Sequence, residues 1–129
     1  MDSEKAFSLY NYFQNWAVIG VTDDKEKFGF KIFKRLIERG KNVYGISPKY
    51  EEVEGKKLLK DISEVPENVQ VVVFVVNPKI GIGELEKIYK KGIKTIWLQP
   101  GTISDELIEK AKEYGMEIVD KCVLVVSDM

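Results

Sequence analysis

Apolar residues in this chain follow two alternating patterns. Short runs rich in valine and isoleucine have the composition of strands that are buried on both faces. Five such strands are predicted, at Trp16–Val21, Asn42–Ile46, Val69–Val76, Thr95–Leu98 and Glu117–Val119. The run Val123–Val126 predicts either an extension of the last strand or an additional edge strand.

Between these runs, apolar residues recur at about every third or fourth position, which is typical of a helix with one buried face. They are Phe7, Leu9, Tyr10 and Phe13; Phe30, Phe33, Leu36 and Ile37; Leu85, Ile88 and Tyr89; and Leu107, Ile108, Ala111 and Tyr114. Asp2 with Ser3 is suited to cap the first helix and Ser104 the last, and glycines 40, 92 and 115 follow the later three. We expect the first helix to pack on the sheet.

Strands that alternate with helices predict right-handed crossovers and a doubly wound α/β fold, with a parallel sheet of about five strands and helices on both faces. Numbered along the chain, the strands are predicted to lie in the order 3-2-1-4-5. Residues 1–129 are expected to form one domain. The longest irregular connection runs from Pro48 to Pro66, with a short helical turn near Leu58 to Ile62.

The charged and reactive residues exclude several classes of protein. Lysine and arginine number 20 against 21 acidic residues, so no net field favours nucleic acid or an anionic membrane. The longest apolar run is too short for a bilayer span and the N-terminus lacks a signal pattern, which predicts a soluble cytoplasmic protein. One cysteine, Cys122, cannot form an intrachain disulfide. The absence of histidine excludes histidine-based triads and most zinc sites.

Four predicted strands run into loop-forming residues at their carboxyl ends: Gly20-Val21-Thr22, Ser47-Pro48-Lys49, Asn77-Pro78 and Gln99-Pro100-Gly101. In an open parallel sheet these ends share one edge, where ligands bind. The first loop is bracketed by Gly20 and Gly29 and leads into a helix whose N-terminus can bind an anion, with Lys25 or Lys27 to neutralise its charge. The G-x-G-x-x-G spacing of dinucleotide-binding loops is absent. A purely structural role for these glycines is the alternative.

The residue after the second strand distinguishes between nucleotides. NAD-binding domains place an acid near this point to hold the ribose, whereas this chain has Lys49. A lysine favours a phosphorylated ribose, because a hydrogen bond to a charged group contributes about 1.5–3 kcal/mol. The candidate ligands are coenzyme A and NADP. The alternative is a surface lysine in a proline turn.

Four strings carry a family resemblance: AVIGVT at residues 17–22, GKNVYGISPK at 40–49, TIWLQPG at 95–101 and DKC at 120–122. They resemble the small stand-alone CoA-binding proteins, which are similar to the CoA-binding domain of the succinyl-CoA synthetase alpha subunit. The resemblance covers roughly residues 16 to 123 and implies a Rossmann-like CoA site.

The resemblance also implies roles for individual positions. The loop from Gly20 and Thr22 to Lys25 would contact the phosphates, and Pro48-Lys49 the adenosine 3′-phosphate. Val76 and Pro78 would line the adenine or ribose side, and Leu98, Gln99 and Pro100 the pantetheine. The full set of predicted contact residues is Gly20, Val21, Thr22, Lys25, Gly29, Phe30, Ser47, Pro48, Lys49, Val76, Asn77, Pro78, Leu98, Gln99, Pro100 and Gly101.

This chain departs from the family at Ser47, where asparagine is usual, and at Pro100, where a residue other than proline is common. The phosphorylated histidine of the ligase is absent, so its chemistry does not carry over. We therefore predict a non-catalytic domain that binds coenzyme A or an acyl-CoA, with no nucleic-acid or membrane partner. The alternatives are an NADP-binding domain of an oxidoreductase or redox sensor, and an interaction protein that has lost its ligand.

Two further features have simpler interpretations. Cys122 matches the family's cysteine and could face the CoA thiol, but a buried cysteine that acts as a small apolar residue is commoner. The adjacent Asp23 and Asp24 are expected to cap a helix and not to bind a metal.

Overall fold

The computed structural model describes residues 1–129, and its strands and helices follow the predicted alternation. The helices are α1 (Ser3–Tyr12), α2 (Phe28–Glu38), α3 (Pro78–Lys90), α4 (Asp105–Glu113) and α5 (Val123–Ser127). The strands are β1 (Asn15–Ile19), β2 (Asn42–Ile46), β3 (Glu52–Val53), β4 (Lys56–Lys57), β5 (Val71–Phe74), β6 (Thr95–Leu98) and β7 (Glu117–Val119). Glycines 40, 92 and 115 lie just beyond α2, α3 and α4, as predicted.

The main sheet has five parallel strands in the order β2-β1-β5-β6-β7, which is 2-1-3-4-5 when its strands are counted along the chain. The predicted order 3-2-1-4-5 is therefore wrong. The carboxyl-terminal half of the outer edge of β2 is occupied by Leu59, whose N–H donates to Gly45 O and whose carbonyl accepts from Ser47 N–H, each at 2.9 Å. The next long strand therefore pairs on the other side of β1, with Ile19 opposite Phe74.

This order decides where a ligand can bind. In a sheet with the order 2-1-3-4-5, the chain leaves neighbouring strands in opposite directions at the first and third strands. Here those strands are β1 and β5, and the loops that follow them diverge and leave a crevice between them.

Both faces of the sheet are covered, because successive side chains along a buried strand point to opposite faces. Trp16 and Val18 of β1 lie in one apolar cluster with residues of α1, α2 and α5. Ala17 and Ile19 lie in a second cluster with residues of α3 and α4. The first helix packs on the sheet as predicted, with Ala6 and Tyr10 buried.

The last valine run forms a helix and not a strand, so both predictions for residues 123–126 are wrong. Val123 and Val126 are buried three positions apart, which is a helical spacing. The Arg35 guanidinium donates to Leu124 O at 3.2 Å and to Ser127 Oγ at 2.7 Å, and so anchors the helix to α2.

The connection from Pro48 to Pro66 contains the antiparallel pair β3–β4 and a 3₁₀ turn at Ile62–Glu64. The predicted helical turn near Leu58 to Ile62 therefore lies slightly later in the chain. Asp61 caps this turn, and the Glu64 carboxylate accepts in return from Asp61 N–H at 2.9 Å. None of the helices has both the length and the apolar character needed to cross a membrane.

Candidate functional site

A groove of about 650 Å³ lies at the carboxyl ends of β1, β2 and β5. Its volume is within the range of small-molecule sites, about 300–1,000 Å³. Its lining residues are Gly20, Val21, Thr22, Lys27, Phe28, Gly29, Ser47, Lys49, Tyr50, Val75, Val76 and Ile80. The groove therefore occupies the crevice that the sheet order creates.

Two glycines bring three segments of backbone together at the floor of the groove. Gly20 has φ +102°, and a Cβ added there would lie 2.4 Å from Val75 O. A Cβ at Gly29 would lie 2.1 Å from Gly20 O. Only glycine permits these approaches, which place the first turn of α2 directly against the loop after β1.

The N-terminus of α2 faces this groove without a side-chain cap. Asp2, Asn77 and Ser104 cap α1, α3 and α4 through side-chain oxygens, whereas Lys27 at the N-cap of α2 makes no such bond. The N–H groups of Phe28 and Gly29 have no acceptor within the chain. Such unpaired N–H groups, with the helix dipole behind them, favour an anion.

The loop before α2 is held by its own polar groups. Thr22 Oγ1 accepts from Asp24 N–H at 3.2 Å, and the Asp24 carboxylate accepts from Glu26 N–H at 3.0 Å. Asp24 therefore orders the loop and does not cap α2, which corrects the prediction for the paired aspartates. Lys27 lines the groove, while Lys25 is exposed outside it.

The turn after β2 directs Lys49 into the groove. Buried Ser47 accepts through Oγ from the N–H groups of Lys49 and Tyr50, each at 3.1 Å. Lys49 Nζ lies 5.3 Å from the centroid of the Tyr50 ring. The groove thus carries Lys27, Lys49 and a helix N-terminus, all of which attract negative charge.

A smaller cavity of about 230 Å³ adjoins the groove and shares Gly20, Val76 and Ile80 with it. Its other lining residues are Ile19, Ile46, Pro48, Lys60, Asp61 and Glu84. Hydrogen bonds from Lys87 and then Ser63 lower the pKa of the Asp61 carboxyl from 3.8 to about 2. Burial raises the pKa of Glu84 above its ordinary value.

We expect Asp61→Asn to weaken the dependence of the free energy of unfolding on pH below about pH 4. A carboxyl with a lowered pKa in the folded state contributes stability above pH 3.8, and this contribution is lost as the pH falls toward about 2. Near pH 5 the free energy of unfolding of the variant should be lower than that of the wild type by about 1 kcal/mol or less, because the ion pair with Lys87 is partly exposed. Urea unfolding at about pH 5 and pH 2 measures it. Lys87→Met should show the same trend, and a deficit that is equal at both pH values would contradict the assignment.

The remaining predicted contact residues lie outside the groove. Asn77 and Pro78 form the start of α3, where Asn77 Oδ1 accepts from Ile80 N–H at 3.0 Å, and both line a separate shallow groove beside Ser104. Phe30 and Leu98 are buried in the two apolar clusters. Pro100 and Gly101 are exposed on the loop after β6.

Gln99 is also buried, and its side-chain amide holds the first residues of α5 in place. Gln99 Oε1 accepts from Val123 N–H at 2.6 Å, and Nε2 lies 3.4 Å from Cys122 Sγ. Cys122 is the N-cap residue of α5, is partly exposed and does not line the groove. The predicted contacts of Leu98, Gln99 and Pro100 with pantetheine stay predictions.

We expect Gln99→Met to lower the free energy of unfolding by about 1–3 kcal/mol, because it leaves the buried Val123 N–H without an acceptor. Chemical denaturation measures the loss. Cys122→Ala is the matched control, since it removes the weaker contact to the same amide and Cys122 makes no side-chain cap bond to α5. Equal losses in the two variants would argue against the role of Gln99.

The structure thus brings together Gly20, Val21, Thr22, Gly29, Ser47, Lys49 and Val76, with Pro48 in the adjoining cavity. Lys27, one of the two lysines that the sequence offered to neutralise an anion, is the one that lines the groove. The sequence-based set of contact residues lacked Phe28, Tyr50, Val75 and Ile80 of the groove and Glu84 of the cavity. Phe28 and Ile80 are half-exposed apolar residues on the first turns of helices. An apolar residue on the first turn of a helix that follows a strand is the sequence signal that could have identified both.

The order of the strands and the crevice define a Rossmann-like α/β domain. The chain belongs to a family of CoA-binding domains, because the family model described as "CoA binding domain" matches residues 14–128. This confirms the resemblance noted in the sequence.

The curated relatives are longer proteins, and this chain matches only a part of each. The chain is 33% identical over 125 residues to the alpha subunit of acetate–CoA ligase (ADP-forming) II from Pyrococcus furiosus, which covers 86% of this chain and 27% of that subunit. It is 30% identical over 113 residues to acetate–CoA ligase (ADP-forming) I from Archaeoglobus fulgidus, which covers 80% of this chain and 16% of that enzyme. The chain therefore spans well under half of each relative.

Solved structures share the fold. A hypothetical protein from Pyrococcus horikoshii superposes with a TM-score of 0.93 at 31% identity, covering 99% of this chain and 91% of that one. The dinucleotide-forming acetyl-coenzyme A synthetase 1 of Ca. Korarchaeum cryptofilum, in complex with phosphate and ADP, gives a TM-score of 0.72 at 28% identity, covering 87% of this chain and 27% of that one. The predicted doubly wound sheet with helices on both faces is confirmed.

Proposed function

We propose that this protein binds coenzyme A or an acyl-CoA in the groove at the carboxyl edge of its sheet. The observation that carries the proposal is the uncapped N-terminus of α2, which faces the same groove as Lys27 and Lys49. Membership of the CoA-binding domain family supports CoA over other nucleotides.

The groove offers matching partners for a ligand with two separate phosphate groups. The unpaired N–H groups of Phe28 and Gly29 and the charge of Lys27 suit the pyrophosphate. Lys49, on the turn after β2, suits the 3′-phosphate of the ribose. No carboxylate lines this groove, so nothing in it repels the phosphates.

We further propose that the domain has no catalytic apparatus of its own. The aliphatic hydroxyl groups in the groove belong to Thr22 and Ser47, and both already accept hydrogen bonds from neighbouring backbone N–H groups. The third hydroxyl is the phenol of Tyr50, and no side chain in the groove is a base that could activate it. The chain contains no histidine to activate a nucleophile. The groove is therefore suited to holding a ligand and not to transforming it.

The test is a comparison of melting temperatures with CoA, acetyl-CoA, NADP and NAD at equal concentration. A ligand present at about 100 times its dissociation constant adds about 2.7 kcal/mol of stability. We expect CoA or acetyl-CoA to stabilise the protein and NAD to have little effect. Stabilisation by NADP alone would replace the proposal with an NADP-binding domain, which Lys49 also permits. No stabilisation by any of the four would favour an interaction protein.

A further inference from the structure

The small cavity beside the groove contains a carboxylate that lacks a hydrogen-bond donor. The Glu84 side chain is 18% exposed, and its nearest cation, Lys87 Nζ, lies 3.7 Å from Oε1, too far for a hydrogen bond. Lys87 donates instead to Asp61 Oδ1 at 2.7 Å, while Asp61 Oδ2 accepts from Ser63. Asp61 is therefore satisfied on both oxygens, and Glu84 is the carboxylate in this cavity that is free to accept.

Apart from the charged residues Lys60, Asp61 and Glu84, the lining of the cavity is suited to a flat apolar surface. Ile19, Ile46, Pro48 and Val76 line it, and Ile80 is 50% exposed beside it. Ile80 and Glu84 are one helical turn apart, so they lie on the same face of α3. An apolar surface with one acceptor at its rim matches a planar base that carries a donor on its edge.

The position of the cavity identifies the ligand to which such a base belongs. The cavity shares Gly20, Val76 and Ile80 with the groove that carries Lys27 and Lys49. A ligand whose phosphates occupy the groove can therefore place its base in the cavity without leaving the carboxyl edge of the sheet.

We propose that this cavity takes the nucleobase of the bound nucleotide, and that the Glu84 carboxylate accepts a hydrogen bond from its exocyclic amine. The inference rests on the proposed function and adds a specificity determinant to it. A 6-amino purine satisfies Glu84 through its amine. A 6-oxo purine in the same position turns an oxygen toward the carboxylate, and its N1–H can reach Glu84 only if the whole base shifts in the cavity. A hydrogen bond to a charged acceptor corresponds to a preference of about 10- to 100-fold.

Calorimetric titration with CoA and with its deaminated hypoxanthine counterpart tests the proposal in the wild type and two variants. We expect the wild type to prefer CoA by about 10- to 100-fold. Glu84→Gln should reduce this preference to a few-fold at most, because an amide can turn either its donor or its acceptor toward the base. Glu86→Gln is the matched control, since Glu86 is exposed on the same helix and pairs with Lys90 away from the cavity. Equal binding of both ligands by the wild type, or an unchanged preference in Glu84→Gln, would overturn the proposal.

The same titrations separate this proposal from the one on which it rests. If CoA binds without discrimination between the bases, the role of Glu84 fails while CoA binding stands. If CoA does not bind, the proposed function fails, and ADP and IDP then test the cavity directly with the same variants. Preference for ADP that is lost in Glu84→Gln would support the cavity as a base site, whereas equal binding or no binding of the two would refute it.

Discussion

Replacing Gly29 with alanine is expected to lower the free energy of unfolding by about 3 kcal/mol. The added methyl group would lie 2.1 Å from Gly20 O, so α2 or the loop after β1 must move. Overpacking of this kind costs about 1–3 kcal/mol, and the Gly20 backbone has little room to yield because it is also tight against Val75. A loss of this size lowers the melting temperature by roughly 10 °C, which calorimetry measures.

Gly83→Ala provides the control for this substitution. Gly83 lies in α3, and a Cβ there would meet no atom within 4 Å. Alanine is the better helix former, so this variant should gain about 0.5–1 kcal/mol. A Gly29→Ala protein as stable as the wild type would show that the tight contact between Gly29 and Gly20 is not required.

Lys49→Glu is expected to weaken CoA binding about 10- to 100-fold more than it weakens dephospho-CoA binding. The change removes a charge-assisted hydrogen bond worth about 1.5–3 kcal/mol and places a negative charge beside the 3′-phosphate that only CoA carries. Titration calorimetry of both ligands against both proteins gives the four dissociation constants that are needed.

The matched control is Lys56→Glu, which makes the same charge change on exposed strand β4, outside the groove. It should weaken the two ligands little and equally, because long-range attraction between exposed charges is screened by salt. Equal losses of CoA and dephospho-CoA in Lys49→Glu would show that Lys49 does not contact the 3′-phosphate.

The strands and the first four helices could be predicted because their burial leaves a local pattern in the sequence. β5, for example, is buried at all four residues, and each is valine or phenylalanine. The sheet order could not be predicted in this way. It depends on Leu59 pairing with the edge of β2, and the short pair Leu58-Leu59 between lysines gives no signal of that contact.

The last helix shows the opposite failure, in which a local pattern was misleading. Valine favours strands, but α5 is fixed by residues that are distant in the sequence, namely Gln99 at its first N–H group and Arg35 at its last turn. Tertiary contacts of this kind override local preference.

Residues of the candidate site could be predicted where their position at a strand end places them in the groove. They could not be predicted where the direction of the side chain decides whether the residue lines the groove. Gly20 and Lys49 follow strand ends and lie in the groove, as expected. Gln99 also follows a strand end, yet its amide turns inward to α5. Glu84 lies in the second turn of α3, and nothing in the local sequence distinguishes a glutamate that faces the cavity from one that faces solvent.

The pairing of Leu59 with β2 also affects how the molecule behaves at high concentration. A bare strand edge is a template on which another chain can add a strand and begin aggregation. Leu59 occupies the carboxyl-terminal half of the β2 edge, and the opposite edge is β7, which has only three residues and carries Glu117. Half of one border and the short opposite border are thus protected against edge-to-edge association.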